Sequence, residues 1–206
     1  MDSPSPLWRG AAPLLLASTS PTRRALLAGA GLTVETESPG VDERAIEAAC
    51  AGLAPSDLAL RLALAKAEAV AARAPGRIVV GADQVLACDG VVFHKPADAA
   101  VARAQLARLA GRTHHLHSAV ALIDGVHAPD TFVETAHLTL RPLDAASIAA
   151  YVALAGPGAM SSVGAYQLEG LGIHLFAEVA GDHTTILGLP LLPLLARLRA
   201  RRLLAF

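Results

Sequence analysis

The segment Leu14–Ala28 most constrains the fold, because it predicts a strand, a hydroxyl-rich turn and the start of a helix within fifteen residues. The apolar run Leu14–Ala17 is too short for a helix and stops at a Ser-Thr-Ser-Pro turn, which is typical of a buried strand. Ser20 is a good N-cap and Pro21 is favoured at the first helical position, so we predict that a helix begins there.

This turn is suited to binding a polyphosphate. The free N–H groups and the positive dipole end of a helix N-terminus attract anions. The hydroxyls of Ser18, Thr19 and Ser20 and the guanidiniums of Arg23 and Arg24 can add charge-assisted hydrogen bonds. An ordinary capped helix with solvated arginines is the alternative interpretation.

Composition excludes several classes of protein. The chain has 206 residues, 53% of them hydrophobic, and a net charge of −1, which is typical of a folded globular protein. Only 3% of the residues are aromatic and no basic run is long, so we expect no nucleic-acid partner. Cys50 and Cys88 are the only cysteines and form no CxxC motif. We therefore expect a reducing compartment and a cytoplasmic protein.

No segment is predicted to cross a membrane. The most apolar run, Ile186 to Ala196, contains Pro190 and Pro193 and is far shorter than the roughly 20 residues that a spanning helix needs. The first residues lack the apolar core of a secretory signal. We predict a loose N-terminal extension over residues 1–13 and a single domain over residues 14–206.

Hydrophobic periodicity and turn residues predict alternating strands and helices along the chain. After the first strand and helix, strands are predicted over residues 32–37, 77–88, 91–94, 114–123, 131–140 and 173–179. Further helices are predicted over residues 45–51, 58–73, 97–110 and 142–152, with a last one after Pro190.

Two carboxylates lie in unusual places. Asp83 follows Gly81 and Ala82 in an apolar strand, and small residues leave space for a ligand. Because a buried carboxylate is costly unless it is paired or binds a metal, we predict a functional Asp83; a strand-end residue that caps a turn is the alternative. Glu43 precedes a weak helix, where it can bind a metal or simply favour the helix N-terminus.

Two lysines are candidate cations for the same chemistry. Lys66 lies near the middle of the helix predicted over residues 58–73. The Asp89-Gly90 pair predicts a hairpin that brings Lys95 back alongside Asp83.

Eight short motifs follow one another along almost the whole chain. They are Ala17-Ser18-Thr19-Ser20-Pro21 with Arg23-Arg24, Val41-Asp42-Glu43, Lys66-Ala67, Ala82-Asp83-Gln84, His94-Lys95-Pro96, Leu109-Ala110-Gly111-Arg112, Gly164-Ala165-Tyr166 with Glu169-Gly170, and Gly188-Leu189-Pro190. In this order and spacing they resemble the Maf family of nucleotide pyrophosphatases, and the match runs from Leu14 to about Leu198.

The resemblance implies an α/β fold like that of the Maf and inosine-triphosphate pyrophosphatases. This fold is a twisted mixed sheet flanked by helices, with two lobes and a central cleft. The alternation of strands and helices predicts the same class independently. The implied activity is hydrolysis of a nucleoside triphosphate between the α and β phosphates, with a divalent metal cation, and the implied assembly is a homodimer.

Hydrolysis of a phosphoanhydride requires neutralised charge, an aligned water and a base or metal that activates it. The residues predicted to bind the phosphates are Ser18, Ser20, Arg23, Arg24, Lys66 and Lys95. Asp83 is predicted to be the general base or a metal ligand, and the sequence leaves that choice open. Glu43 is the second carboxylate predicted to hold Mg²⁺ or Mn²⁺, both of which prefer oxygen ligands.

Three positions vary with substrate in the family, and they are Thr22, Gln84 and Glu169 in this chain. Gln84 and Glu169 are similar to the members that act on 7-methyl-GTP, whereas Thr22 matches neither those nor the pyrimidine-preferring members. A carboxylate such as that of Glu169 can accept two hydrogen bonds from a guanine N1–H and amine. We therefore expect a guanine-type, 7-methylated nucleotide. A dTTP or UTP pyrophosphatase and a non-catalytic nucleotide-binding regulator of cell division are the alternatives.

Overall fold

Strands and helices alternate along the chain in the computed structural model, which describes residues 6–206. The strands are β1 (Leu14–Ala17), β2 (Val34–Thr36), β3 (Val79–Cys88), β4 (Val91–Phe93), β5 (Thr113–Ile123), β6 (Asp130–Leu140) and β7 (Phe176–Ala180). The helices are α1 (Pro21–Gly29), α2 (Glu43–Ala49), α3 (Pro55–Ala71), α4 (Ala99–Leu109), α5 (Ala145–Ala155), α6 (Gly158–Ser161), α7 (His183–Ile186) and α8 (Leu191–Ala200). Short 3-10 helices cover Val163–Ala165 and Leu171–Leu175.

The described strands form one mixed sheet in the order β2-β1-β3-β5-β6-β7, with β4 paired to β3. Strand β1 pairs in parallel with β2 and β3, while the β3–β4 and β6–β7 pairs are antiparallel. Helices follow most of the strands in the chain, so the predicted α/β class is confirmed.

The chain forms two compact units. Of the described residues, the first unit contains those up to Gln84 together with Ser118–Glu134 and His183–Phe206. The second contains Val85–His117 and Thr135–Asp182. Two units agree with the two lobes that the resemblance implies, while the single domain over residues 14–206 stays a prediction.

The core of the first unit is built around β1, whose four residues are all buried. Leu14 and Leu16 pack in one cluster with Leu27 of α1 and with Leu194 and Leu198 of α8. All five side chains are completely inaccessible to solvent. Burying each leucine contributes on the order of 2 kcal/mol, so this cluster fixes the strand from which the first turn emerges.

The segment predicted to be a loose extension is packed where the structure describes it, and only residues 1–5 lie outside the described residues. Trp8 is 7% exposed, belongs to the core cluster and forms an isolated bridge with Leu204. Its indole N–H donates to the carbonyl of Ala12 at 2.7 Å. The segment packs because Trp8 buries a large apolar ring and its N–H still finds a hydrogen-bond acceptor.

In the second unit, α4 packs against α5 and the 3-10 helix at Val163–Ala165. The sequence predicts a strand over residues 173–179, but β7 begins only at Phe176. Gly172 explains the difference: its N–H donates to the carbonyl of Gln167, and the carbonyl carbon of Gln167 would lie 2.8 Å from a Cβ at this position. Only a glycine lets the chain fold back against itself here, which produces a helical turn instead of a strand.

Within residues 6–206, no helix combines the length and the apolar character that a membrane span requires.

Candidate active site

The turn after β1 forms as predicted. Ser20 is the N-cap of α1, and its hydroxyl accepts a hydrogen bond from the N–H of Arg23 at 3.3 Å. The hydroxyl of Ser18, which is only 5% exposed, accepts from the N–H of Ser20 at 3.2 Å. Both hydroxyls therefore shape the N-terminus of α1, the part of a helix that binds anions.

Arg23 is held by backbone carbonyls at two places. Its Nε donates to the carbonyl of Gly188 at 2.9 Å, and its Nη1 donates to the carbonyl of Ala82 at 3.0 Å and to the Ser18 hydroxyl at 3.4 Å. Burial lowers the pKa of Arg23, and the negative charges of Asp83 and Glu43 act in the opposite direction. The result is a fixed guanidinium that stays protonated, as arginine does in proteins. Arg24, one residue on, is exposed.

Lys66 joins the two predicted carboxylates. Its Nζ lies 2.5 Å from Oδ1 of Asp83 and 2.8 Å from Oε1 of Glu43. Lys66 and Asp83 are 6% and 7% exposed, whereas about half of the Glu43 side chain is exposed. Two carboxylates therefore share one buried ammonium, which offsets much of the cost of burying Asp83.

The contact between α3 and β3 brings Lys66 to Asp83. A Cβ at Gly81 would lie 2.7 Å from the backbone nitrogen of Ala67, a distance that real Cβ atoms do not show. The absence of a side chain at Gly81 lets the backbone of α3 approach β3 directly. Lys66, one residue before Ala67, then lies where its ammonium meets the carboxylate two residues after Gly81.

The carboxylates of Asp83 and Glu43 suit a hard divalent cation that takes only one or two of its ligands from the protein. Lys66 uses one oxygen of Asp83 and one of Glu43, and in the described part of the chain the second oxygen of each accepts no hydrogen bond. No group of three or more His, Cys, Asp or Glu side chains among residues 6–206 is arranged to hold a metal ion. Mg²⁺ commonly binds through one or two carboxylates together with substrate phosphates and water, which matches this donor set.

The carboxamide nitrogen of Gln84 is hydrogen-bonded within the protein. Its carboxamide nitrogen donates to the Ser118 hydroxyl at 2.9 Å and to the carbonyls of Thr185 and Ile186 at 3.2 and 3.0 Å. The nitrogen is therefore used within the protein, and only the carboxamide oxygen is left to act as an acceptor. The predicted specificity role of Gln84 stays a prediction.

Thr22, a second predicted specificity residue, is half-buried on α1. It lines an apolar groove together with Ala25 and Leu26 of the same helix and with Leu187 and Leu191. This groove offers little beyond the threonine hydroxyl for hydrogen bonding.

Lys95 and Glu169 belong to the second unit, and both are exposed. The β3–β4 ladder pairs Leu86 with Phe93, so Lys95 lies beyond the end of the hairpin ladder. The predicted approach of Lys95 to Asp83 stays a prediction, as does the contact of Glu169 with a base.

Sequence reasoning missed two partners of these residues. The carbonyl of Gly188, which accepts from Arg23, lies in the Gly188-Leu189-Pro190 motif. The sequence indicates this motif but gives no role for its carbonyl groups. Ser118, which binds Gln84, lies in an apolar strand pattern and carried no signal.

Comparison with known proteins identifies the family of this chain. The model of the family described as Maf-like protein matches residues 13–201. The chain belongs to the Maf family.

Relatives cover nearly the whole chain. A protein of Nitrobacter winogradskyi named nucleoside triphosphate pyrophosphatase is 51% identical over 199 residues, which are 97% of this chain and 98% of the relative. A protein of the same name from Rhodopseudomonas palustris is 52% identical over 202 residues, 97% of this chain and 99% of its own. A Brucella abortus protein named 7-methyl-GTP pyrophosphatase is 49% identical over 191 residues, 92% of this chain and 96% of its own.

Among solved structures, a nucleoside-triphosphatase described as a dITP/XTP pyrophosphatase from Mycobacterium abscessus matches 62% of this chain and 72% of its own. It is 22% identical with a TM-score of 0.38, a likeness too slight to establish a common fold.

Proposed function

We propose that this protein is a nucleoside triphosphate pyrophosphatase that hydrolyses the bond between the α and β phosphates and releases a nucleoside monophosphate and pyrophosphate. The observation that carries the proposal is the pair of carboxylates, Asp83 and Glu43, joined by Lys66 and lying within electrostatic reach of Arg23. Relatives that cover this chain almost completely bear the same function in their names.

The cationic residues have separate tasks in this proposal. Arg23, oriented by two carbonyls, binds phosphate oxygens beside the N–H groups of the first turn of α1. Lys66 has three N–H donors and uses two on the carboxylates, so its third can reach a phosphate oxygen. Arg24 and Lys95 add exposed positive charge.

Asp83 is the proposed base or metal ligand. Its free oxygen can accept a proton from the attacking water, while the Lys66 ammonium holds the other oxygen in place. Asp83 and Glu43 would hold Mg²⁺ or Mn²⁺, which neutralises phosphate charge and lowers the pKa of water when bound.

We further propose a guanine-type substrate, with 7-methyl-GTP preferred to dTTP and UTP. A relative at 49% identity is named 7-methyl-GTP pyrophosphatase. The exposed carboxylate of Glu169 is an acceptor, which suits the N1–H and amine donors of guanine. Thr22 lacks the ring that could stack on a methylated base. A cytoplasmic homodimer completes the proposal.

The test is a turnover screen in which pyrophosphate release is measured for 7-methyl-GTP, GTP, dTTP and UTP with Mg²⁺ or Mn²⁺ present and absent. A higher kcat/KM for dTTP or UTP than for 7-methyl-GTP would contradict the substrate proposal. Nucleotide binding without release in any combination would favour the non-catalytic regulator instead.

The Asp83→Asn variant tests the assigned chemistry, because it keeps the shape of the side chain and removes its charge. Loss of a general base typically costs roughly 10²–10⁴-fold in rate. We expect a loss of that size in kcat with nucleotide binding retained. A variant that keeps more than about a tenth of the wild-type kcat would show that Asp83 has another role.

A further inference from the structure

Ser118 is a buried hydroxyl that the proposed mechanism does not use. It lies on β5 and is completely inaccessible to solvent. Its Oγ donates to the carbonyl of Thr185 at 2.7 Å and accepts from the carboxamide nitrogen of Gln84 at 2.9 Å. A buried hydroxyl that both donates and accepts is fixed in one orientation.

The carboxamide of Gln84 can have only one orientation in this network. Its nitrogen lies 3.2 Å from the carbonyl of Thr185 and 3.0 Å from that of Ile186, and both groups can only accept hydrogen bonds. Turning the carboxamide over would place its oxygen against two carbonyl oxygens. Gln84 and Ser118 together therefore anchor the end of α7 to β3 and β5.

The anchored segment leads directly to the group that orients Arg23. The carbonyl of Gly188, two residues after Ile186, accepts from Nε of Arg23 at 2.9 Å. A Cβ at Gly188 would lie 3.5 Å from Nε and Nη2 of Arg23 and 3.6 Å from the carboxamide oxygen of Gln84. The guanidinium and the carboxamide thus both face the same glycine, which has a φ of +92°.

We propose that Ser118 and Gln84 are positioning residues for Arg23, and that they act by fixing the Thr185–Gly188 segment whose last carbonyl holds the guanidinium. The inference rests on the proposed function, in which Arg23 binds the phosphates. It gives Ser118 a role at the phosphate end of the substrate, where a change must affect all nucleotides alike.

The first experiment compares wild type with Ser118→Ala, using inorganic tripolyphosphate as the probe because it has the phosphate chain and no base. We expect binding measured by calorimetry to weaken by about threefold to tenfold, the effect of one neutral hydrogen bond. The kcat/KM values for a panel of nucleotides should fall by one common factor. Ser118→Thr, which keeps the hydroxyl, should restore most of the binding.

Tyr151→Phe is the matched control, because it also removes a buried hydroxyl that donates to a backbone carbonyl, that of Ala165 at 3.2 Å. Tyr151 lies in the second unit. A similar shift of the unfolding midpoint with unchanged tripolyphosphate binding would separate positioning from a general loss of stability.

A double-mutant cycle with Arg23→Ala tests whether Ser118 acts through Arg23. If it does, Ser118→Ala should have almost no further effect on tripolyphosphate binding once Arg23 is absent. Equal losses in both backgrounds, a changed ranking of nucleotides, or unchanged binding in Ser118→Ala would each overturn the inference while leaving the proposed function intact. A wild-type protein that neither binds tripolyphosphate nor turns over any nucleotide would overturn both.

Discussion

Replacing Lys66 by methionine should destabilise the protein far more than replacing either of its partners. Lys66→Met keeps an unbranched side chain of similar length and leaves Asp83, which is 7% exposed, without its ion pair. Removing one partner of a buried pair costs about 3–5 kcal/mol, because the remaining charge stays uncompensated. Loss of the Lys66–Glu43 ion pair adds at most about 1 kcal/mol to this cost, since the Glu43 side chain is half exposed.

The same geometry ranks the related variants. Glu43→Gln leaves the Lys66–Asp83 pair intact and should cost no more than about 1 kcal/mol. Asp83→Asn leaves Lys66 paired with Glu43, so its loss in the free energy of unfolding should lie between the losses of Glu43→Gln and Lys66→Met. The Lys66→Met, Asp83→Asn double variant has neither buried charge, so it should recover much of the loss seen in Lys66→Met alone.

The assay is equilibrium unfolding in urea at neutral pH, with the free energy of unfolding obtained by linear extrapolation and the slope checked for constancy. If Lys66→Met lost less than about 1 kcal/mol, or Glu43→Gln lost as much as Lys66→Met, the buried ion pair would not have the importance that its distances and burial indicate.

Three further predictions concern other parts of the molecule. Burial, with a smaller contribution from the charge of His115, lowers the pKa of His114 from 6.5 to about 4. Between pH 6.5 and about 4 the unfolded state binds more protons than the folded state. The free energy of unfolding should therefore fall by about 3 kcal/mol as the pH drops through this window. Urea titrations at several pH values should show a weaker pH dependence of this free energy in His114→Gln. Gly81→Ala should lower the free energy of unfolding by about 1–3 kcal/mol in a urea titration, because its Cβ would lie 2.7 Å from the nitrogen of Ala67. Gly29→Ala should not lower it, because a Cβ at Gly29 has nothing within 4 Å. Arg23→Ala and Lys95→Ala should change kcat/KM by one factor for every nucleotide, and steady-state kinetics that show a changed ranking would place the residue at the base instead.

The first turn could be predicted from the sequence because its determinants are local. An apolar run that ends at hydroxyl residues, with Ser20 before Pro21, defines a strand, a cap and a helix start without any distant contact. The helix around Lys66 was predictable for the same reason, although its observed bounds begin three residues earlier, at Pro55. Boundaries differ because a proline at the first helical position extends a helix that hydrophobic spacing alone would start later.

The partners of the charged residues could not be predicted in this way. Lys66 and Asp83 are 17 residues apart, and their contact depends on how closely α3 approaches β3 at Gly81. The hydrogen bonds from Gln84 to Thr185 and Ile186 span about 100 residues and involve carbonyls, which have no sequence signature. Local patterns therefore indicate which residues carry charge, whereas only tertiary packing determines which groups those charges meet.

The charge balance of the cluster bears on the proposed metal. Asp83 and Glu43 contribute two negative charges, and Lys66 and Arg23 contribute two positive charges, so the cluster is formally neutral. A neutral cluster gives little net attraction to a nucleoside triphosphate, which carries several negative charges, and its carboxylates would repel the nearest phosphate oxygens. Asp83 and Glu43 would hold a divalent cation, whose positive charge would offset that repulsion, and the third N–H of Lys66 would stay available to hydrogen-bond the substrate. The observed pairing of Lys66 therefore supports the proposed cation, because without one the carboxylates that hold Lys66 would oppose substrate binding.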